Sequence, residues 1–357
     1  MSRRGVRIAS VGCALPEHRY EQATLTAALE RALATRGLES RRLDQLHRNM
    51  QVEGRHLALP LEAYEQLDSF GASNDAFIRC GLELGARAVV DGLERAGLDL
   101  ADVDHLFFVS VTGVATPSLD AGLMNRLALR ADVKRTPMFG LGCVAGAAGV
   151  ARASDYLRAF PDQVAVLLSV ELCSLTLQRD DASIANLIAS GLFGDGAAAA
   201  VLVGSERPTN GATVPTVVAT RSVFYPDTQD VMGWRVGGDG FRVVLSAEVP
   251  EVVEANIGPD VDAFLADHGL ARRDISSWIA HPGGPRVLEA LEQALALPYD
   301  ALARTWRSLA AIGNLSSASV LLILRDALLD GCPASGEWAL MLAMGPGFCS
   351  ELVLLRG

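Results

Sequence analysis

Residues 140–149 read GLGCVAGAAG, a glycine-rich turn followed by the start of a helix. The small residues from Ala145 to Gly149 let this helix pass close to other backbone, so we expect it at the centre of a domain or of a subunit interface. Cys143 stands at the N-terminal end of the helix, where unpaired amide groups and aligned peptide dipoles favour a thiolate. The stretch therefore predicts a nucleophilic cysteine of lowered pKa, with an ordinary core cysteine as the alternative.

Apolar runs alternate with segments of helical periodicity on both sides of this stretch. This alternation is typical of a layered α/β protein with buried strands. The predicted strands are Ile8–Val11, Leu106–Val111, Val164–Val170, Ala197–Val203, Trp278–Ala280 and Trp338–Met344. The predicted helices are Asp75–Ala96, Val144–Phe160, Val249–His268 and Ser316–Leu329.

A segment rich in proline and glycine, Gly204 to Pro215, is the strongest candidate for a linker. It divides the chain into an N-terminal half, residues 1–205, and a C-terminal half, residues 206–357. Each half has a polar or reactive residue at the start of a predicted helix, Cys143 in the first and Asn314 in the second. A duplicated architecture is therefore plausible, although no sequence repeat proves it.

Composition limits the partners that the protein can have. The formal net charge is −11 and the pI is near 5.1, so nucleic acid and anionic membranes would repel the average field of the protein. The six cysteines form no CxxC pair and have no histidine at metal-ligand spacing, so we expect no metal site and a reduced cytoplasmic setting. The longest uncharged apolar stretch, Met138 to Ala151, is too short to cross a bilayer as a helix.

Two polar residues are candidate partners of the cysteine. His281 follows a short apolar strand in WIAHPGGP, residues 278–285, and precedes a turn that would present the imidazole into a cleft. It could relay protons or, as a cation, hold negative charge. Asn314 opens a helix in GNLSSAS, residues 313–319, where its amide could donate to an oxyanion. The alternatives are a structural histidine and a simple helix cap.

The combination of these motifs resembles a known family. It comprises GLGCVAGAAG, LFGDGAAAA at 192–200, AHPGG at 280–284, GNLSSAS and GPGF at 345–348. Together they resemble the type III polyketide synthases, the chalcone synthase-like family of the thiolase superfamily. The resemblance implies a thiolase-like duplicated five-layered α-β-α-β-α fold and a homodimer. It also implies CoA thioesters as substrates and no cofactor.

The same resemblance assigns roles to individual residues. Cys143 would carry the acyl chain, while His281 and Asn314 would position malonyl-CoA and stabilise the enolate formed by decarboxylation. Phe193 would be the gatekeeper between the CoA tunnel and the acyl cavity, and Thr116 would line the partner subunit's cavity. Val243 stands where the family has a second gatekeeping phenylalanine, with Phe241 two residues earlier. The remaining expected pocket residues are Thr176, Ala189, Ser316, Gly345, Pro346, Gly347 and Phe348, with Arg42 and Arg48 at the CoA entrance.

The starter substrate is predicted from two alanines. Ala185 and Ala189 lie one helical turn apart before Phe193, so a tunnel for a long acyl tail could open between them. In general appearance the chain resembles bacterial alkylpyrone and alkylresorcinol synthases, which implies a fatty acyl-CoA starter extended two or three times with malonyl-CoA. Two alternatives remain open: an enzyme of single condensation resembling the initiating ketoacyl-ACP synthases, and an inactive acyl-CoA-binding scaffold.

Overall fold

The computed structural model describes residues 5–33, 40–208 and 214–357. The strands are β1 (Val6–Ala14), β2 (His18–Glu21), β3 (Gly54–Leu57), β4 (His105–Val109), β5 (Lys134–Met138), β6 (Val164–Leu172), β7 (Asp195–Val203), β8 (Thr216–Phe224), β9 (Met232–Gly237), β10 (Gly240–Leu245), β11 (Ile275–Ala280), β12 (Trp338–Gly345) and β13 (Cys349–Arg356). The helices are α1 (Gln22–Leu33), α2 (Ser40–Asn49), α3 (Leu61–Tyr64), α4 (Phe70–Ala96), α5 (Leu119–Arg126), α6 (Ala145–Ala159), α7 (Ile184–Leu192), α8 (Val249–Ala266), α9 (Pro285–Leu295), α10 (Ala303–Ile312) and α11 (Ser317–Leu329). Every predicted strand and helix overlaps one of these elements.

The main sheet contains the same strand arrangement twice. Its order is β11-β12-β13-β8-β1-β7-β6-β4-β5. From β4 through β6 and β7 to β1 the pairings are parallel, antiparallel and antiparallel, and the pairings from β11 through β12 and β13 to β8 follow the same series. The predicted duplication is therefore confirmed.

Helices form three layers around the two halves of this sheet. Helices α6 and α11 pack against each other and against strands of both halves, so they form the central layer. Helix α4 covers the outer face of β1, β6 and β7, while α8 and α9 share a core with β11 and β12 on the opposite side. The α-β-α-β-α layering predicted for the chain is thus confirmed.

The central strands are buried on both faces, which explains their sequences. Strands β6 (VAVLLSVEL) and β7 (DGAAAAVLV) are buried at every position. A strand covered by helices on both faces reads as a continuous apolar run and shows no alternation. This is the signal from which both strands were predicted.

The predicted linker lies only partly within the described residues. Residues 209–213 fall outside them, and the described flanks connect β7 to β8. A boundary between residues 205 and 206 remains a prediction. Within the described ranges, no helix has the length and apolar character needed to cross a membrane.

A glycine sets the distance between the two central helices. A Cβ atom at Gly146 would lie 2.3 Å from the backbone oxygen of Ser317 and 2.6 Å from Cγ1 of Val320. Neither helix can accommodate this atom without moving, because the nearest contact is backbone. Helices α6 and α11 therefore cross at a separation that only glycine allows.

We expect Gly146→Ala to lower the free energy of unfolding by about 1–3 kcal/mol, the usual cost of overpacking a core. This loss should outweigh the helix propensity gained from alanine, which is about 1 kcal/mol. Gly71→Ala is the matched control in α4, since a Cβ there meets only the side chain of Ser69 at 3.9 Å. Urea denaturation of both variants measures the effect, and equal stability of the two would contradict the proposed close contact.

Candidate active site

The three residues predicted to do the chemistry line one crevice. Cys143 lies in the 3₁₀ turn Gly142–Val144 that leads into α6, His281 follows β11, and Asn314 precedes α11. All three are buried. Cys143 and Asn314 occupy equivalent positions in the two halves. Each lies just before a central helix, α6 or α11, and these helices precede the equivalent strands β6 and β12. The structure therefore brings together residues that are far apart in the sequence.

Hydrogen bonds orient the amide and the thiol. Nδ2 of Asn314 lies 3.4 Å from Nε2 of His281, and Oδ1 of Asn314 accepts a 2.7 Å hydrogen bond from the backbone amide of Ser316. The Cys143 thiol donates to the hydroxyl of Ser316 across 3.6 Å. Ser316 has a φ of 46°, a left-handed conformation that residues other than glycine rarely adopt. The amide and imidazole nitrogens are close enough to contact one carbonyl oxygen together.

Burial keeps both titratable groups of the crevice neutral. It raises the pKa of the Cys143 thiol to about 12 and lowers the pKa of His281 to about 3. The predicted lowering of the cysteine pKa is therefore wrong for the resting chain, because the loss of solvent around the sulfur outweighs the helix end. Of the two roles considered for His281, proton relay is compatible with a neutral imidazole, whereas holding negative charge as a cation is not.

The GPGF segment supports the turn that carries the cysteine. A Cβ atom at Gly142 would lie 2.7 Å from two ring carbons of Pro346, and one at Gly345 would lie 2.7 Å from the amide nitrogen of Val144. Phe348 itself lines the crevice. Gly345 and Pro346 thus hold the cysteine turn in place, while Gly347, at a φ of 143°, leads into Phe348.

A second, larger cavity lies on the other side of Phe193. It has a volume of about 670 Å³, whereas the crevice holds about 30 Å³, which is room for one or two water molecules. Phe193 lines both spaces. The predicted pocket residues Thr176, Ala189 and Val243 line the larger cavity. A residue that separates the two spaces, such as Phe193, therefore has to move before one substrate can occupy both the crevice and the larger cavity.

The segment that carries Phe193 is fixed to the segment that carries Asn314. The amide of Gly194 donates to the backbone oxygen of Asn314, and the amide of Asn314 donates to that of Leu192, each across 2.9 Å. The buried guanidinium of Arg55 donates across 2.7 Å to the backbone oxygen of Phe193. A change in the backbone at Phe193 therefore also shifts Asn314, whose side-chain amide lies in the crevice.

A buried carboxyl group connects three elements beneath the cysteine. Glu171 in β6 accepts hydrogen bonds from the amide of Val111 at 3.1 Å, from the hydroxyl of Thr112 at 3.0 Å and from the hydroxyl of Ser317. Burial raises its pKa to about 7. Its negative charge in turn contributes to the raised pKa of Cys143.

Three predicted residues lie away from both spaces. Thr116 is exposed, in the loop between β4 and α5. Arg42 and Arg48 are exposed on α2, and Arg48 forms an ion pair with Asp44. None of the three lines the crevice or the larger cavity. Their predicted roles at the partner's cavity and at the CoA entrance remain predictions.

Several residues of the site were missed by sequence reasoning. They are Arg55, Tyr64, Cys173 and Trp234, which line the larger cavity, and Glu171. Only Glu171 had a usable signal, because a charged residue inside the apolar run VAVLLSVEL requires a buried partner. The other four are ordinary in sequence, and only the fold brings them to the cavity.

Comparisons with known proteins cover nearly the whole chain. The family described as "Chalcone and stilbene synthases, N-terminal domain" matches residues 2–207, and its C-terminal counterpart matches residues 216–357. A 1,3,6,8-tetrahydroxynaphthalene synthase of Streptomyces peucetius subsp. caesius is 54% identical, covering 99% of this chain and 93% of that protein. A putative chalcone synthase of Bacillus subtilis is 37% identical, covering 97% of each. A solved structure is also similar, that of a 1,3,6,8-tetrahydroxynaphthalene synthase of Streptomyces coelicolor A3(2), a bacterial type III polyketide synthase. Its TM-score is 0.91 and its sequence identity 29%, over 98% of this chain and 99% of that one.

The raised thiol pKa predicts how Cys143 reacts with iodoacetamide. Below the pKa the thiolate fraction rises tenfold per pH unit, so the alkylation rate should keep rising between pH 7 and pH 10. Free cysteine, with a pKa of about 8.5, should instead level off within this range. The rate is measured by mass spectrometry of the Cys143 peptide, with Cys143→Ser as the control for labelling at other cysteines. Fast labelling that is independent of pH from 6 to 8 would show a thiolate in the resting chain.

Proposed function

The chain belongs to the chalcone and stilbene synthase family of type III polyketide synthases, and from this premise we propose that it builds a polyhydroxylated naphthalene from malonyl-CoA alone. It is an acyltransferase that forms carbon-carbon bonds by decarboxylative Claisen condensation. The main support for this product is the similarity, over nearly the whole chain, to a protein named 1,3,6,8-tetrahydroxynaphthalene synthase. The ten ring carbons of such a product correspond to five two-carbon units, and oxygen on alternate carbons is the pattern that successive malonyl units leave.

The chemistry of the larger cavity supports this substrate class. A chain built from malonyl units bears a carbonyl on every second carbon, so it requires hydrogen-bonding groups along the cavity wall. Arg55 lines the cavity with a guanidinium that carries several N–H donors, and Trp234 adds an indole N–H and an aromatic face. A saturated fatty tail offers these donors no acceptor, so it gains no hydrogen bond from them.

In the loading step, Cys143 attacks the thioester carbonyl of malonyl-CoA. The neutral imidazole of His281 accepts the thiol proton at Nε2 as the carbon-sulfur bond forms, and passes it to the departing CoA sulfur. This route does not require a thiolate in the resting chain. It therefore fits a thiol whose pKa burial raises to about 12.

In the extension step, a second malonyl-CoA loses carbon dioxide. The electron pair of the broken carbon-carbon bond forms an enolate, whose oxygen accepts hydrogen bonds from Nδ2 of Asn314 and, once the ring proton has moved from Nδ1 to Nε2 by exchange with water, from Nε2 of the neutral His281. The enolate carbon then attacks the acyl thioester, and Cys143 leaves as a thiolate. This thiolate takes the extended chain back from CoA, whose sulfur departs with the negative charge and gains a proton from solvent. Burial strengthens both hydrogen bonds, since the crevice holds almost no water.

A fatty acyl starter is the second candidate. Leu25, Ala28, Leu29 and Leu177 form an apolar part of the larger cavity together with Ala189. An acyl tail seated there would give the alkylpyrone or alkylresorcinol products predicted from the sequence. Membership of the family disfavours both an enzyme of single condensation and an inactive scaffold.

We also propose that the protein acts as a homodimer in the cytoplasm. Strand β5 lies at the end of the main sheet and, among the described strands, pairs only with β4. Lys134, Arg135, Pro137 and the adjacent Phe139 are exposed. The exposed aromatic side chain of Phe139 suits contact with a second copy, whereas Lys134 and Pro137 protect the strand edge itself from pairing. Thr116 would reach the partner subunit's cavity in that assembly.

Incubation of the purified protein with malonyl-CoA alone should release CoA and give a product with the mass of a polyhydroxynaphthalene. Mass spectrometry of the products measures this, and Cys143→Ala should reduce the signal to background. A set of acyl-CoA starters is added in parallel reactions. A strict requirement for a long acyl-CoA, with alkylpyrone or alkylresorcinol masses, would reject the malonyl-only proposal in favour of the second candidate.

The second candidate makes its own prediction at Ala189. If long acyl-CoA starters are used, Ala189→Trp should lower their use roughly tenfold or more relative to short starters, because the indole fills the apolar part of the cavity. Ala185→Trp is the control, one turn away on α7 and not part of the cavity wall. Unchanged use of long starters by Ala189→Trp would show that no acyl tail lies beside Ala189.

A further inference from the structure

Three polar side chains on separate elements form a hydrogen-bonded chain at the wall of the larger cavity. The hydroxyl of Tyr64, at the end of α3, lies 2.5 Å from the hydroxyl of Ser174, in the 3₁₀ turn after β6. The Ser174 hydroxyl donates to Oδ2 of Asp195, the first residue of β7. Asp195 is fully buried, whereas Tyr64 and Ser174 line the cavity.

The hydrogen bonds of this chain have a direction. Ser174 gives its only hydroxyl proton to Asp195, so Tyr64 must be the donor in the Tyr64–Ser174 contact. The backbone amide of Leu59 donates to the Tyr64 oxygen across 3.4 Å. Both hydroxyl protons therefore point toward the carboxylate, and the Tyr64 oxygen is the end of the chain farthest from it.

This chain is separate from the groups that perform condensation. None of its members lines the crevice of Cys143, His281 and Asn314. It belongs instead to the space into which a growing chain would extend beyond Phe193. Condensation leaves a chain with acidic CH₂ groups between carbonyls, and an aromatic ring forms from it only when such a group loses a proton.

We propose that Tyr64, Ser174 and Asp195 form a proton relay that drives carbon-carbon ring closure of the bound poly-β-ketone. Tyr64 is the catalytic residue, because its oxygen takes the proton from the CH₂ group, while Ser174 and Asp195 are positioning residues. The Tyr64 proton passes to Ser174 and the Ser174 proton passes to Asp195, so the electron pair stays on the substrate as an enolate. The enolate attacks a carbonyl carbon of the same chain, and the resulting alkoxide takes the proton back by the reverse path.

The protonation states suit such a relay. Burial raises the pKa of Asp195 to about 6, so its carboxyl group is mainly ionised at pH 7 yet basic enough to hold a proton briefly. Burial also raises the pKa of Tyr64 well above its ordinary value, so Tyr64 does not ionise alone and acts only by passing a proton on. The positive charge of Arg55 acts in the opposite direction on Asp195 and favours the carboxylate.

The proposal rests on the proposed polyketide function, so the test measures the two separately. Purified protein is incubated with malonyl-CoA, and CoA release reports condensation. The ratio of ring-closed aromatic product to lactone reports the relay, since a chain released by attack of its own enol oxygen on the thioester does not need it. If the wild type releases no CoA, the proposed polyketide function is rejected, and the relay is rejected with it. A failure of the relay alone appears only in the product ratio.

Tyr64→Phe and Ser174→Ala should lower the ratio of aromatic product to lactone roughly 10²-fold, the lower range for loss of general acid-base catalysis. CoA release is measured in the same reactions, so a variant that condenses more slowly is still scored on how its completed chains close. Ser174→Thr keeps the hydroxyl group and should restore the ratio to within about tenfold, which a merely structural role of Ser174 would not predict. An unchanged ratio in both hydroxyl-deletion variants, or equal losses in Ser174→Ala and Ser174→Thr, would overturn the relay.

Discussion

The close crossing of α6 and α11 is the constraint on which the rest of the structure depends. Gly146 lets the two helices approach until its Cα lies against the backbone of Ser317, and the residues before each helix are then neighbours. Cys143 and Asn314 come from equivalent positions in the two halves, so the duplication itself creates the crevice. His281 completes it from the turn after β11. A larger distance between α6 and α11 would not change the positions of the three residues in the sequence, but it would move their functional atoms apart.

The same packing removes water, and this determines how the crevice can work. A thiol and an imidazole that are both buried remain neutral, because neither charge alone is compensated. The helix end favours a thiolate only to the extent that the sulfur has solvent or an opposite charge around it. In the proposed loading step, proton transfer from Cys143 to His281 would avoid an isolated charge. The dry crevice then strengthens the hydrogen bonds that an enolate needs.

The sequence predicts those features that depend on local pattern. Continuous apolar runs indicated β6 and β7, and glycine turns before helices led to Cys143 and Asn314. Features that depend on packing between distant segments could not be predicted in this way. The neutral state of Cys143 follows from burial by several elements, and the Tyr64–Ser174–Asp195 chain joins segments more than 100 residues apart. Neither leaves a periodic or compositional trace.

The substrate prediction illustrates the same limit. The alanines of α7 describe one wall of the larger cavity, and small side chains on one wall suggest room for a tail. The remaining walls carry the polar and aromatic groups of Tyr64, Ser174 and Trp234, next to the apolar part formed by Leu25, Ala28, Leu29 and Leu177. A cavity selects its substrate by all its walls together, because each unpartnered polar group costs free energy when an apolar chain covers it. The alanines of α7 alone therefore do not determine the chemistry of the chain that the cavity takes.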